Sequence, residues 1–159
     1  MGDEADLVAS RLARGCRCFV VRIDAAIAGY GWLSVDREWV GELQVELKPR
    51  AREGYIWNCV TIPEHRRKGI FKSLLTGICH AGRRSGLRRM WVGSVAIPAE
   101  KAVAPAGFIP ALHFDVIDFA GLHVIRVQAA ADRVLAADAG NVLGVHPGLV
   151  IRGSRQRRH

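Results

Sequence analysis

Arg66, Arg67 and Lys68 stand directly before Gly69, and Ile70, Phe71, Leu74, Leu75 and Ile78 follow at helical spacing. That spacing predicts a helix over about residues 69–81 with one apolar face turned to a core. The first N–H groups of a helix have no intrahelical acceptor and carry partial positive charge, so a phosphate placed there satisfies both conditions. Gly69 lets a ligand approach the backbone with no Cβ in the way, and Lys72 adds a cation in the first turn. Residues able to take a proton are Glu42, Glu46 and Glu53. Glu42 and Glu46 fall on one face of a strand expected over Trp39–Leu47, and Glu53 opens the strand that leads to the basic turn. A solvated surface carboxylate is the commoner role for each. Cys59 has no His or Asp at a spacing that would activate it, and Tyr55 and Trp57 line either a cleft or a core.

These groups must be positioned by regular elements. Residues 3–14 read as a short helix stopped by Gly15. Strands are expected over Cys18–Ile23, Ile27–Val35, Trp39–Leu47 and Tyr55–Ile62, with Pro63 closing the last. After the helix, Gly82 and Gly86 mark its end and Arg88–Val95 reads as a strand, so strand, helix, strand implies a parallel pair joined by a right-handed crossover. A short helix is expected near Ala99–Ala104. Leu112–Phe119 and Leu122–Gln128 form a hairpin across Ala120-Gly121, in which His113 and His123 are expected to face each other as polar hairpin residues rather than as a metal pair. A helix over Ala130–Ala139 and a small strand over Gly148–Arg152 finish the chain. The fold class is α/β in the α+β sense, a mixed sheet wrapped by a few helices.

A chain of 159 residues, 50% hydrophobic and 24% charged, fits one domain with a sizeable core, residues 1–159. No run of apolar residues is long enough to span a membrane and the acidic, amphipathic start is unlike a secretory leader, so the expectation is a cytoplasmic protein with no membrane partner. Cys16, Cys18, Cys59 and Cys79 lack the paired spacing of a zinc site, and no metal is inferred. A net charge of +8 suits an anionic partner. Nucleic acid is the weaker reading, because no aromatics are interleaved with the arginines to stack bases. The tail, Arg152–His159, reads as a solvated basic end.

The sequence Val60-Thr61-Ile62-Pro63 followed by Arg66-Arg67-Lys68-Gly69-Ile70-Phe71 resembles the main motif of the GCN5-related N-acetyltransferase (GNAT) superfamily. The order of elements and Ala106-Gly107-Phe108 fit the same family over about residues 17–128, leaving 129–159 as a C-terminal extension. The resemblance implies an antiparallel meander with a splayed parallel strand pair, and acetyl-coenzyme A as co-substrate without a metal. It assigns the pyrophosphate to Arg66, Arg67, Lys68, Gly69, Ile70 and Phe71, the 3′-phosphate to Lys72 or the arginines, and the pantetheine arm to Val60 and Thr61. It implies transfer of acetyl to an amine, on a small molecule or a protein, by direct attack in a ternary complex. Glu53 and Glu42 are then the candidate bases. Phe71 replaces the small residue usual in the motif, with its ring expected in the core. Val103 and Ala96 stand where the family commonly has a tyrosine acid and an asparagine, which leaves a catalytically silent acyl-coenzyme A binding or sensor domain as the alternative. The family's first strand has no counterpart before residue 3, and a homodimer is one way to cover that edge.

Overall fold

The computed structural model describes residues 5–94 and 102–153. In chain order the elements are α1 (Ala5–Ala13), β1 (Arg17–Ile23), β2 (Ala26–Ser34), β3 (Glu38–Val40), β4 (Val45–Leu47), β5 (Glu53–Thr61), α2 (Ile70–Arg84), β6 (Arg89–Val92), β7 (Leu112–Phe119), β8 (Leu122–Ala129), α3 (Arg133–Leu143) and β9 (Gly148–Gly153). They fall into two compact units, one within Met1–Arg37 and Pro49–Phe108, the other within Glu38–Lys48 and Ile109–His159. Neither unit is a single stretch of chain.

The first unit is a four-stranded mixed sheet ordered β1-β2-β5-β6, with β5 and β6 parallel and the other pairs antiparallel. Strand β2 is buried from Ala28 to Ser34 because both its faces are covered. On one face Leu33 and Ile56 meet Leu74, Leu75 and Ile78 of α2, and the half-buried Phe71 packs on the same cluster. On the other, Tyr30, Trp32 and Trp57 pack with Val8 of α1. The Arg11 guanidinium lies over both indoles, 5.2 Å from the Trp32 ring centre and 4.7 Å from that of Trp57. Glycines set how closely α2 approaches. A Cβ at Gly29 would stand 2.8 Å from the Val60 carbonyl oxygen, and one at Gly31 2.7 Å from Cys59 Sγ.

Helix α2 runs past the expected stop at Gly82 as far as Arg84. Gly82 is an interior contact instead, where the end of Met90 occupies the space a Cβ would need. The turn that ends the helix is made by Ser85, which bonds back to Ala81, and by Gly86 at φ +85°. Arg83 and Arg84 sit in the last turn, where positive charge complements the helix dipole.

In the second unit, β7, β8 and β9 form an antiparallel sheet, and β3 with β4 a separate hairpin. The single strand expected over Trp39–Leu47 is thus two. Leu43 and Gln44 donate back to Val40 and Gly41, Gln44 has φ +49°, and Val40 faces Val45 across the turn. The apolar alternation that suggested one strand comes from a turn whose Leu43 packs on the same core as β4. β2 therefore pairs directly with β5, and β3 and β4 are not in the meander. Val45, Ile125, Val127 and Val145 make the core of this unit. Helix α3 starts at Arg133, not Ala130, because the Asp132 carboxylate accepts from the Leu135 N–H at 2.9 Å and caps it.

Gly31→Val places a branched side chain against Cys59, Leu74 and Ile78, and overpacking of this kind costs about 1–3 kcal/mol. The expected result is a lower melting temperature by circular dichroism with an unchanged spectrum at 20 °C; a melt matching the parent's would mean that β2 and α2 are not packed as described.

Candidate functional site

The parallel ladder between β5 and β6 pairs Glu53 with Arg89, Gly54 with Met90, Tyr55 with Trp91 and Ile56 with Val92, then ends. Strand β5 continues to Thr61 with β2 alone as its neighbour. One edge of its second half therefore has no strand partner among the described residues. Within that half lies a β-bulge. Tyr30 pairs with Val60 and Trp32 with Trp57, so Asn58 and Cys59 together oppose Gly31, and Asn58 takes φ +46°. A bulge turns the backbone groups beside it away from the ladder direction. Thr61 Oγ1 is buried at the open end of the strand and has no hydrogen-bond partner among the described residues.

From this open edge the chain passes through a short 3-10 turn, Pro63–His65, into α2. Arg66 is extended at φ −63°, ψ 157°, Arg67 has φ +62°, and Gly69, the N-cap, has φ +75°. The first backbone bond of the helix is Ser73 N–H to the Gly69 carbonyl, and no side chain caps it. The N–H groups of residues 67–72 have no acceptor among the described residues. Successive amides in alternating conformations form a concave donor surface of the kind that takes anions, here continuous with a helix N-terminus. A Cβ at Gly69 would meet nothing within 4 Å, so the glycine serves the backbone angle and an open approach. Arg66, Arg67, Lys68 and Lys72 are exposed, and their side chains have no hydrogen-bond or ion-pair partner among the described residues.

The structure thus brings Val60, Thr61, Arg66, Arg67, Lys68, Gly69, Ile70, Phe71 and Lys72 onto one continuous segment, with Ile70 and Phe71 turned toward the core and the cations toward solvent. It does not bring Glu53 there. Glu53 lies at the paired end of β5, five residues from Asn58, about 16 Å at the strand rise. It is 8% exposed, accepts from Trp91 Nε1 at 2.9 Å and from the Arg50 N–H at 3.2 Å, and pairs with Arg89 at 3.5 Å. Glu42 is exposed in the β3–β4 turn and Glu46 is exposed on β4, so the two do not share one face of one strand.

His113 faces Gln128 in the β7–β8 hairpin, and His123 faces Asp118, so the two histidines do not face each other. His123 is buried and its Nδ1 lies 2.6 Å from Asp118 Oδ1. Among the described residues no three His, Cys, Asp or Glu side chains cluster as metal ligands. Burial pushes the Cys59 thiol up to about 12, and the same cause raises Cys18 and Cys79. Val103 packs on the α2 core, and the position of Ala96 lies outside the described residues. No described helix is long and apolar enough to cross a membrane. Sequence reasoning missed the Asn58 bulge and the left-handed Arg67. The signal for the first was an asparagine, tolerant of positive φ, inside an otherwise apolar strand.

The model of the acetyltransferase (GNAT) family matches residues 3–108. No curated protein matches the chain. Among solved structures, a putative acetyltransferase from Agrobacterium tumefaciens is 17% identical, with a TM-score of 0.52 over 69% of this chain and 74% of that one. An acetyltransferase from Trypanosoma brucei is 19% identical, with a TM-score of 0.53 over 72% and 77%. AAC(6')-Iy in complex with a bisubstrate analogue of coenzyme A is 18% identical, with a TM-score of 0.51 over 69% and 76%. At these identities the likeness is one of fold.

Two outcomes are expected from the site's local chemistry. Glu53→Gln loses the charged acceptor for Trp91 and Arg89, and urea unfolding registers a loss of about 1–3 kcal/mol; unchanged stability would remove the structural role. Because a thiol titrating near 12 is protonated at pH 8, iodoacetamide at that pH leaves Cys59 unmodified in the folded protein. Rapid labelling there, read by peptide mass spectrometry, would mean a thiolate is stabilised after all.

Proposed function

Because the chain belongs to the acetyltransferase (GNAT) family, we propose that it is an acetyl-coenzyme A dependent N-acetyltransferase in which the acceptor amine attacks directly within a ternary complex. The observation that carries this reading is the run of unaccepted N–H groups at residues 67–72, directly downstream of the strand edge that β6 leaves open. The amides of Arg67, Lys68, Gly69, Ile70, Phe71 and Lys72 hold the pyrophosphate, and the exposed side chains of Arg66, Arg67, Lys68 and Lys72 supply counter-charge, including for the 3′-phosphate. Val60 and Thr61 align the pantetheine arm along the open edge, where the amide groups of that arm take the place of a partner strand and the Thr61 hydroxyl gains a partner. When bound, the co-substrate supplies an acetyl thioester: the amine nitrogen bonds to the carbonyl carbon, the C–S bond breaks, the thiolate leaves and the amine proton passes to solvent.

The bulge at Asn58 lies where the thioester end of an arm running along β5 would reach. The bend there reshapes the strand edge along which the arm would lie. Glu53 acts as a structural carboxylate in this scheme. It neutralises Arg89 and fixes Trp91, which hold the closed end of the β5–β6 pair and so fix where the open end begins. Glu42, exposed and outside the parallel pair, leaves solvent as the proton acceptor unless the acceptor substrate brings its own base. A second reading is favoured by Val103, which is packed into the core at the position of the family's acid: a domain that binds acyl-coenzyme A without turnover. The acceptor is an amine of a small molecule or a protein, and the absence of an interleaved aromatic platform argues against nucleic acid.

Calorimetric titration with acetyl-coenzyme A, coenzyme A and adenosine 3′,5′-bisphosphate tests the site. The expectation is micromolar binding that weakens at least tenfold without the pantetheine arm. Gly69→Asp puts a carboxylate beside the anion and should abolish binding, while unchanged affinity in a folded variant would refute the assignment. Release of free thiol on addition of an amine panel separates the transferase from the silent binder. Val103→Ala, checked for folding, keeps turnover within a few-fold of the parent.

A further inference from the structure

The β7-β8-β9 sheet has one face in the core of its unit, through His123, Ile125 and Val127. Residues directly opposite in an antiparallel pair share a face, so the registers define the other one. Ile117, Val124 and Ile151 form one row across the three strands, Phe119 and Leu122 the row beside it at the hairpin tip, and Leu149 lies opposite Arg126 on the far side. Phe119 is 75% exposed, Leu149 63%, Ile117 62%, Ile151 58% and Leu122 45%. These side chains leave about 500 Å² of contiguous apolar surface in water, at the upper end of what a monomer exposes.

We propose that this outer face packs against the same face of a second copy of the chain. Three observations favour a second copy over another occupant. The first is area: with its polar margin the three-stranded face reaches the ~800 Å² per partner that a stable interface needs. The second is charge. Each chain carries +8, so two copies can meet only through a surface without net charge. The charged side chains on this face, Asp115 and Arg126, sit opposite each other in register, and Asp115 also accepts from Gln128 at 2.8 Å. An acidic protein or an anionic lipid surface would instead be matched by unpaired cations among the apolar residues. The third is self-complementarity. A twofold axis across β8, midway between Leu122 and Val124, sets Leu122 against the partner's Val124 and Phe119 against the partner's Ile117, which keeps apolar rows on apolar rows and leaves Arg126 beyond the overlap. Sheets packed in this way lie about 10 Å apart with strands roughly aligned.

The inference depends on the second unit alone and not on the transferase reading, so either fails without the other. The test is light scattering coupled to size exclusion on the full chain at 50 µM, in 150 mM salt. The expected mass is twice 17.4 kDa for the parent and a single 17.4 kDa for Ile117→Glu combined with Ile151→Glu. Both positions are exposed, so the thermal melt of the variant in its monomeric form reports whether folding is intact. As a check independent of charge, Phe119→Ser should raise the dimer dissociation constant at least tenfold. A monomeric parent overturns the proposal, as does a dimer that survives the double substitution. A monomer that floats with phosphatidylglycerol vesicles in a manner lost in the double variant would also overturn it, and would assign the face to a membrane surface.

Discussion

Among the described residues strand β5 has two neighbours over its first half and one over its second, and the properties assigned to the first unit follow from that change. A strand edge left open inside a fold is costly, since its N–H and C=O groups need partners and side chains seldom reach them. The closed end shows how the opening is localised. Glu53, Arg89 and Trp91 tie the ladder at its start, so that the strands part at a fixed residue, after Ile56 and Val92. The bulge at Asn58 falls just beyond that point, where there is no β6 ladder left for it to disturb. Pairing, parting and bulge thus follow one another along a single strand, with the Glu53 carboxylate in contact with Trp91 and Arg89 at its paired end.

A related economy appears at the start of α2. Most helices cover their first N–H groups with a capping side chain, and losing that cap costs about 1 kcal/mol. Here the N-cap is a left-handed glycine, Arg67 two residues before it is also left-handed, and the cations beside them have no anionic partner among the described residues. The helix tolerates this because its opposite face is fully engaged: Leu74, Leu75 and Ile78 are buried against Leu33 and Ile56, each of the order of 1.5–3 kcal/mol. Surplus packing on one side permits unsatisfied donors on the other. Phe71 illustrates the coupling, since its ring lies on the core and leaves the amide side of the turn uncrowded.

What could be read from residue order divides along the same line. The anchoring helix, the strand before it and the parallel strand after it were legible because each carries a local pattern: a 3.6-residue apolar period, a Pro stop, a Gly turn. The matching family spans them, residues 3–108. The hairpin over 112–129 was legible for the same reason. The segment over Trp39–Leu47 misled, because a turn carrying Leu43 and two short strands carrying Val45 and Leu47 give the same alternation as one strand. For Glu53, strand order reports which strand a residue is on but not which end of it lies open, so its place at the paired end of β5 was not legible. Whether Gly82 would stop a helix depended on Met90, which is remote in sequence and needs the space.

The side chains near the opening narrow the chemistry that this unit can perform. Burial keeps the Cys59 thiol protonated, the Val103 position is apolar and packed, and Glu53 is engaged elsewhere. A covalent route through Cys59 is therefore disfavoured, and so is general acid catalysis from the position of Val103. What the segment offers in quantity is directed backbone N–H groups at the helix start, with positive charge beside them. Groups of that kind hold and polarise but do not exchange protons, and binding two reactants at attack distance can itself supply several kcal/mol of a barrier. A thiolate is a tolerable leaving group without a proton, because its conjugate acid titrates near 8.5. The reaction of an acyl thioester thus asks for positioning more than for a side-chain acid.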